Sequence, residues 1–180
     1  MRCIVVGTSG AGKTRFARDL AGRLALPCIE LDALFWEPNW SAAELVTFRQ
    51  RVAAATQADA WVVDGNYSSV RAELWPRATH VVWLNFGRFT VFSRIVGRTF
   101  WRVASRQKLW AGNQESFAKA FLSRDSILMW SFTTFSKNQL KFAGLRQSSE
   151  FGHLQWHELR SPAQARAFLR ARQRDADPLP

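Results

Sequence analysis

Residues Gly7-Thr8-Ser9-Gly10-Ala11-Gly12-Lys13-Thr14 spell the pattern G-x-x-x-x-G-K-[ST]. They follow the apolar run Cys3-Ile4-Val5-Val6. Beyond them Phe16, Ala17, Leu20, Ala21 and Leu24 recur at helical spacing until Pro27. A strand running into a glycine-rich loop and then a helix is the setting in which this pattern cradles phosphate. The glycines let successive backbone N–H groups converge on phosphate oxygens with no Cβ in the way. Lys13 is placed to neutralise charge on the β- and γ-phosphates, and the Thr14 hydroxyl to ligate Mg²⁺. The loop Gly7, Thr8, Ser9, Gly10, Ala11, Gly12, Lys13 and Thr14 is therefore expected to bind ATP or another nucleoside triphosphate with Mg²⁺.

Working outward, Cys28 to Leu31 reads as a second short strand, Trp61-Val62-Val63 as a third, Val81 to Leu84 as a fourth and His153 to Leu159 as a fifth. Ser41-Ala42-Ala43-Glu44 has the form of a capping box opening a helix to about Thr56. Ser161-Pro162 supplies an N-cap and an N1 proline for a last helix through about Arg172. Short strands alternating with helices predict an α/β fold with a parallel sheet covered on both faces. The long stretch between strands four and five accommodates two helices, roughly Phe89 to Lys108 and Ser116 to Gln139, with a polar turn at Gly112-Asn113. One domain over residues 1–174 is expected, with a helical lid at about 88–146 and a frayed tail at 175–180.

Hydrophobic residues make up 47% of the 180, which excludes a disordered chain. The apolar stretch Phe117 to Phe135 is interrupted by Lys119, Arg124 and Asp125, so no membrane span is expected. Cys3 and Cys28 show neither metal-ligand spacing nor a disulfide framework, and Met1-Arg2 leads directly into the first strand. Both fit a cytoplasmic protein. The net charge of +11 is concentrated: residues 88–146 hold 11 basic and 2 acidic side chains, against 9 and 8 in residues 1–87. Such a concentration implies an anionic partner, either the phosphates of a nucleotide or a nucleic-acid backbone.

Asp64 closes the third strand, where an acid organising Mg²⁺ belongs, although Asp64-Gly65 also suits an ordinary turn. Asp32 follows the second strand. Carboxyl ends of parallel strands face the ligand crevice, so Gly7, Asp32 and Asp64 should converge there. Asp32 could take a proton from a substrate hydroxyl or simply cap the next turn. Arg94, Arg98 and Arg102 lie at i, i+4 and i+8 on one helix face; the first two are candidates to grip a transferring phosphoryl group, and Arg102 suits a solvated surface. Trp36 and Trp40 flank Pro38 just after Asp32, where they could stack on a base or pack as core. His80, His153 and His157 form no metal or triad pattern.

Taken together, Gly7–Thr14, Leu31–Trp36, Trp61–Ser68, Arg94–Arg98, Gly112–Ser116, Ser123–Ser126 and Leu159–Pro162 resemble the adenylate-kinase-like phosphate-loop proteins often labelled DNA topology modulation proteins. The resemblance spans nearly the whole chain. It implies a five-stranded parallel sheet in the order 2-3-1-4-5 with flanking helices and a helical lid. It also implies Mg²⁺/ATP-dependent phosphoryl transfer to a small nucleotide- or nucleoside-like acceptor. By likeness, Lys13 and Thr14 hold phosphate and metal, Asp64 organises Mg²⁺, and Arg94, Arg98 and Arg124 close over the phosphates. Asp32, Trp36 and Arg71 would contact the acceptor. Adenylate kinases continue Gly-Phe-Pro-Arg after the strand acid, with that arginine on AMP. This chain has Gly65-Asn66-Tyr67 and its next arginine at Arg71, so the likeness does not extend to AMP as acceptor. Two alternatives stand beside this one: a nucleic-acid-associated NTPase or polynucleotide kinase whose basic segment 88–146 docks on a phosphate backbone, and a non-catalytic nucleotide-binding regulator.

Overall fold

The computed structural model describes residues 1–104, 110–113 and 127–176. Five apolar runs form one parallel sheet: β1 (Arg2–Gly7), β2 (Cys28–Glu30), β5 (Trp61–Asp64), β6 (His80–Leu84) and β7 (Gln155–Leu159). β3 (Trp36–Glu37) and β4 (Ser41–Ala42) form a separate antiparallel hairpin. The sheet order is β2-β5-β1-β6-β7, which is 2-3-1-4-5 when only its five strands are counted in chain order, as expected. Val5 pairs with Asp64 on one side and Val82 on the other, and Glu30 pairs with Asp64. That register brings the ends of β1, β2 and β5 to one edge.

Period-two alternation builds a core on each face. Ile4, Val6, Val63 and Val81 pack with Phe48, Trp61, Trp75 and Phe142 on one side. Cys3, Val5, Val62 and Val82 pack with Phe16, Leu20 and Leu169 on the other. Phe16 and Leu20 lie on α1 (Lys13–Arg23), Phe48 on α3 (Leu45–Ala55), Phe142 on α6 (Ile127–Gln147) and Leu169 on α7 (Pro162–Ala176), with the short α2 (Leu31–Phe35) and α4 (Arg71–Leu74) between strands. α5 (Arg88–Ala104) buries Val91 and Ile95, one turn apart, beneath the glycine loop.

Several boundaries differ from expectation. The expected capping box at Ser41–Glu44 is absent. Ser41 and Ala42 pair with Glu37 and Trp36, and the Ala43 N–H donates to the Phe35 carbonyl at 2.8 Å, so the segment is extended and helix α3 begins at Leu45. Leu31 opens α2 rather than closing the second strand, which places Asp32 inside a helical turn. α6 continues to Gln147 instead of ending near Gln139. Phe135 and Phe142, two turns apart, are both buried, and Arg146 reaches Glu158 on β7 at 2.9 Å. α7 runs to Ala176, so Asp175 and Ala176 belong to it rather than to a tail, whereas its N-terminus is capped as expected, with the Gln164 N–H donating to Ser161 Oγ at 3.2 Å. The expected helix start at Ser116 and the stretch 105–109 lie outside the described residues. Among the described residues no helix is long and apolar enough to cross a membrane.

Candidate active site

The glycine loop joins the buried end of β1 to the first turn of α1. Gly7 has φ +151°, and a Cβ there would lie 2.8 Å from the Leu84 carbonyl oxygen. Gly10, at φ +80°, is pressed against Ile95 so closely that a Cβ would fall inside that side chain. Lys13 Nζ donates to the Thr8 carbonyl at 3.2 Å and so lies over the loop. The first N–H groups of α1 and its positive dipole end face the same space, which favours an anion there.

Thr14 Oγ1 donates to Asp64 Oδ2 at 2.6 Å. Asp64 is 5% exposed, and its Oδ1 is buried with no hydrogen-bond partner. Burial pushes its carboxyl up from the usual range. Lys13 and the Thr14 hydroxyl oppose that shift, and the acids Asp32 and Glu30 add to it. An unpartnered buried carboxylate oxygen beside a hydroxyl with free lone pairs is a hard-oxygen donor set, and hydrated Mg²⁺ fits it. No group of three His, Cys, Asp or Glu side chains among the described residues could hold a metal. An ion here would therefore depend on Thr14, Asp64, water and phosphate oxygens.

The loop after β5 ties these pieces together. Asn66 Nδ2 donates to the Gly7 carbonyl at 2.6 Å, and the Gly7 N–H donates to Asn66 Oδ1 at 3.3 Å. The Tyr67 hydroxyl donates to Asp32 Oδ1 at 2.6 Å, and burial beside Asp32 pushes its pKa far up. Asp64, Asn66 and Tyr67 thus grip α1, β1 and α2 respectively. The cleft they frame has a volume of about 920 Å³ and contains Lys13, Thr14, Asp32, Asp64 and Trp36 together. The structure therefore brings together the glycine loop, both candidate acids and the two candidate stacking tryptophans, Trp36 and Trp40.

The arginines divide. Arg94 Nη1 donates to the Ala11 carbonyl at 2.9 Å, and its guanidinium lies 5.1 Å from the centre of the Phe86 ring. It borders a second groove, of about 560 Å³, on the far side of the loop with Arg15, Phe86 and Pro162. Arg71 does not line the large cleft. Its guanidinium sits over the Trp75 ring at 5.3 Å. Arg124 and the side chains of Arg98 and Arg102 lie outside the described residues. Trp61 and Trp83 are core, as their strands suggested. His80 and His157 stack at 5.5 Å across β6 and β7, away from the cleft.

No family model matches the sequence. None of the curated proteins matches it either. Among solved structures, a gluconokinase from Sinorhizobium meliloti 1021 is similar with a TM-score of 0.50 and 17% identity, over 97% of this chain and 94% of its own. At that identity the likeness speaks for the fold.

The chain has the phosphate-loop kinase fold.

Within that fold, several residues beyond those expected from the sequence shape the cleft. Asn66 and Tyr67 follow Asp64 directly, and their proximity to the strand end was a usable signal. Trp110, Asn138 and Lys141 also line the cleft. They come from the segment 88–146, more than seventy positions beyond Asp32 and Trp36, and no local pattern marks them.

Proposed function

We propose that the protein transfers the γ-phosphoryl group of ATP to a hydroxyl of a small, nucleotide- or nucleoside-like acceptor. The observation that carries this reading is the convergence of the Thr14–Asp64 pair and Asp32 in one cleft at the mouth of the glycine loop. The donor phosphates lie along the loop, with Lys13 and the N-terminus of α1 compensating their charge. The donor base extends into the groove of Arg15, Phe86, Arg94 and Pro162. Mg²⁺ held by Thr14 and Asp64 would neutralise charge developing on the phosphate oxygens. Asp32, oriented by Tyr67, accepts the acceptor hydroxyl's proton. The hydroxyl oxygen bonds to the γ-phosphorus as the bond to the β–γ bridging oxygen breaks, and its electron pair leaves with ADP. The resemblance to topology modulation proteins is compatible with this reading and adds no reaction to it.

Lys13→Ala tests the reading, because it removes a fixed charge from the phosphates while the loop glycines stay. ATP affinity should fall about tenfold or more, as losing a charge-assisted contact costs about 1.5–3 kcal/mol. Titration calorimetry on the folded variant measures it, and unchanged affinity would sink the proposal. A second reading rests on the charge asymmetry, 11 basic to 2 acidic side chains over residues 88–146. In that reading the acceptor is the hydroxyl end of a polynucleotide, whose backbone lies on the basic segment.

A further inference from the structure

Trp36, Trp40 and Trp110 are half-buried around the acceptor end of the cleft, and neither core cluster contains them. Trp36 and Trp40 meet edge to face, 5.5 Å between centroids at 80°. Phe35 abuts Trp36 at 4.9 Å and Tyr67 at 4.7 Å. The box is closed by a turn from the lid segment. Asn113, 6% exposed, accepts from the Trp40 N–H at 2.9 Å and donates to the Glu37 carbonyl at 2.8 Å. Trp110 Nε1 donates to Glu30 at 3.2 Å.

The backbone on both sides of this clasp is strained. Asn39 has φ 60°, Trp40 φ 58° and Ala111 φ 53°. A tryptophan in the left-handed region is rare, because its Cβ crowds the backbone, and such strain persists only where the surroundings enforce it. Here Asn113 enforces it, and the result is an indole turned into the cleft instead of the core. Among the described residues of this wall, Glu30 is engaged with Arg18 and Trp110, Asn66 with Gly7, and Tyr67 with Asp32. A planar ring with one hydroxyl delivered to Asp32 is well served.

We propose that the acceptor is an uncharged nucleoside whose base enters the box of Trp36, Trp40 and Trp110, and that Asn113 is the positioning residue that sets this specificity. The proposal rests on the phosphotransfer reading above and deepens it.

The test uses calorimetric titration of the ADP complex with adenosine, cytidine, thymidine, AMP and gluconate, followed by ³¹P NMR of product in ATP. At least one nucleoside should bind more tightly than gluconate and AMP. Trp40→Gly is the informative variant, since glycine takes the positive φ freely and only the indole is lost. Nucleoside affinity should fall about tenfold or more, the loss of one stacking platform, while Tm holds or rises. Asn113→Ala should weaken the same nucleoside through KM more than kcat. Gluconate binding in place of every nucleoside, or undiminished nucleoside binding by Trp40→Gly, would overturn the proposal. Phosphorylation of gluconate would refute the box and keep the kinase, whereas nucleoside binding without phosphorylation would keep the box and refute phosphotransfer.

Discussion

Asp64 is held in the cleft at a cost in stability. Its carboxyl is buried, and one oxygen has no hydrogen-bond partner. Burial raises its pKa in the folded state above the ordinary value of about 3.9. Between those two values the native state binds more protons than the unfolded chain, so stability falls as pH rises through that window. Above the folded-state value the full penalty persists. Asp64→Asn removes it, and the ligand-free variant should melt at or above the wild-type Tm at pH 7, with the difference vanishing below about pH 4. Turnover should move oppositely, dropping by about a hundredfold or more as the hard-oxygen site is lost. Calorimetric melting across pH with kcat measurements checks both. Wild-type turnover by the variant would leave Asp64 a turn residue only.

At the scale of elements, the loop is shaped as much by α5 as by its own sequence. Ile95 and Val91 press on Gly10, and Arg94, between them, bonds back to the Ala11 carbonyl. Gly10→Ala must displace Ile95 and also hold a positive φ, so it should destabilise by about 1–3 kcal/mol and weaken ATP binding together. Urea unfolding and ATP titration measure these. Loss of ATP affinity at unchanged stability would show that α5 and the loop are not coupled. The capping box fails for a related reason. Ser41–Glu44 has the residues for a helix start, but the hairpin with Trp36 and Glu37 uses their backbone groups first.

For the whole molecule, the basic segment decides between an enclosed cleft and a docking surface. Asn138 and Lys141 on α6 line the cleft, and Arg94 on α5 touches the loop, so part of the charge lies at the cleft and the loop. With a lid role, ATP plus Mg²⁺ should protect residues 88–146 from proteolysis, and oligonucleotides should bind weakly. With a docking role, oligonucleotide affinity should fall with salt at a log–log slope of about −0.9 per phosphate neutralised on duplex DNA. Limited proteolysis and a salt titration separate the two. Tight, salt-steep oligonucleotide binding that stimulates ATP hydrolysis would favour the polynucleotide reading.

What the sequence by itself determined was most of what is local or periodic, the Ser41–Glu44 capping box excepted. The glycine loop, its lysine and threonine, the five apolar runs and the acid closing the strand at Asp64 were all legible, because each depends on spacing within one element. The strand order also followed, although from resemblance and not from the residues alone. Only the tertiary structure decided what crosses between elements. It bonded Thr14 to Asp64 and Tyr67 to Asp32, placed Arg71 over Trp75, and set Asn113 against Trp40, 73 positions away. The physical reason is that a hydrogen bond between distant segments leaves no periodicity in either one. It exists only once the sheet register and helix packing have fixed where the two segments meet.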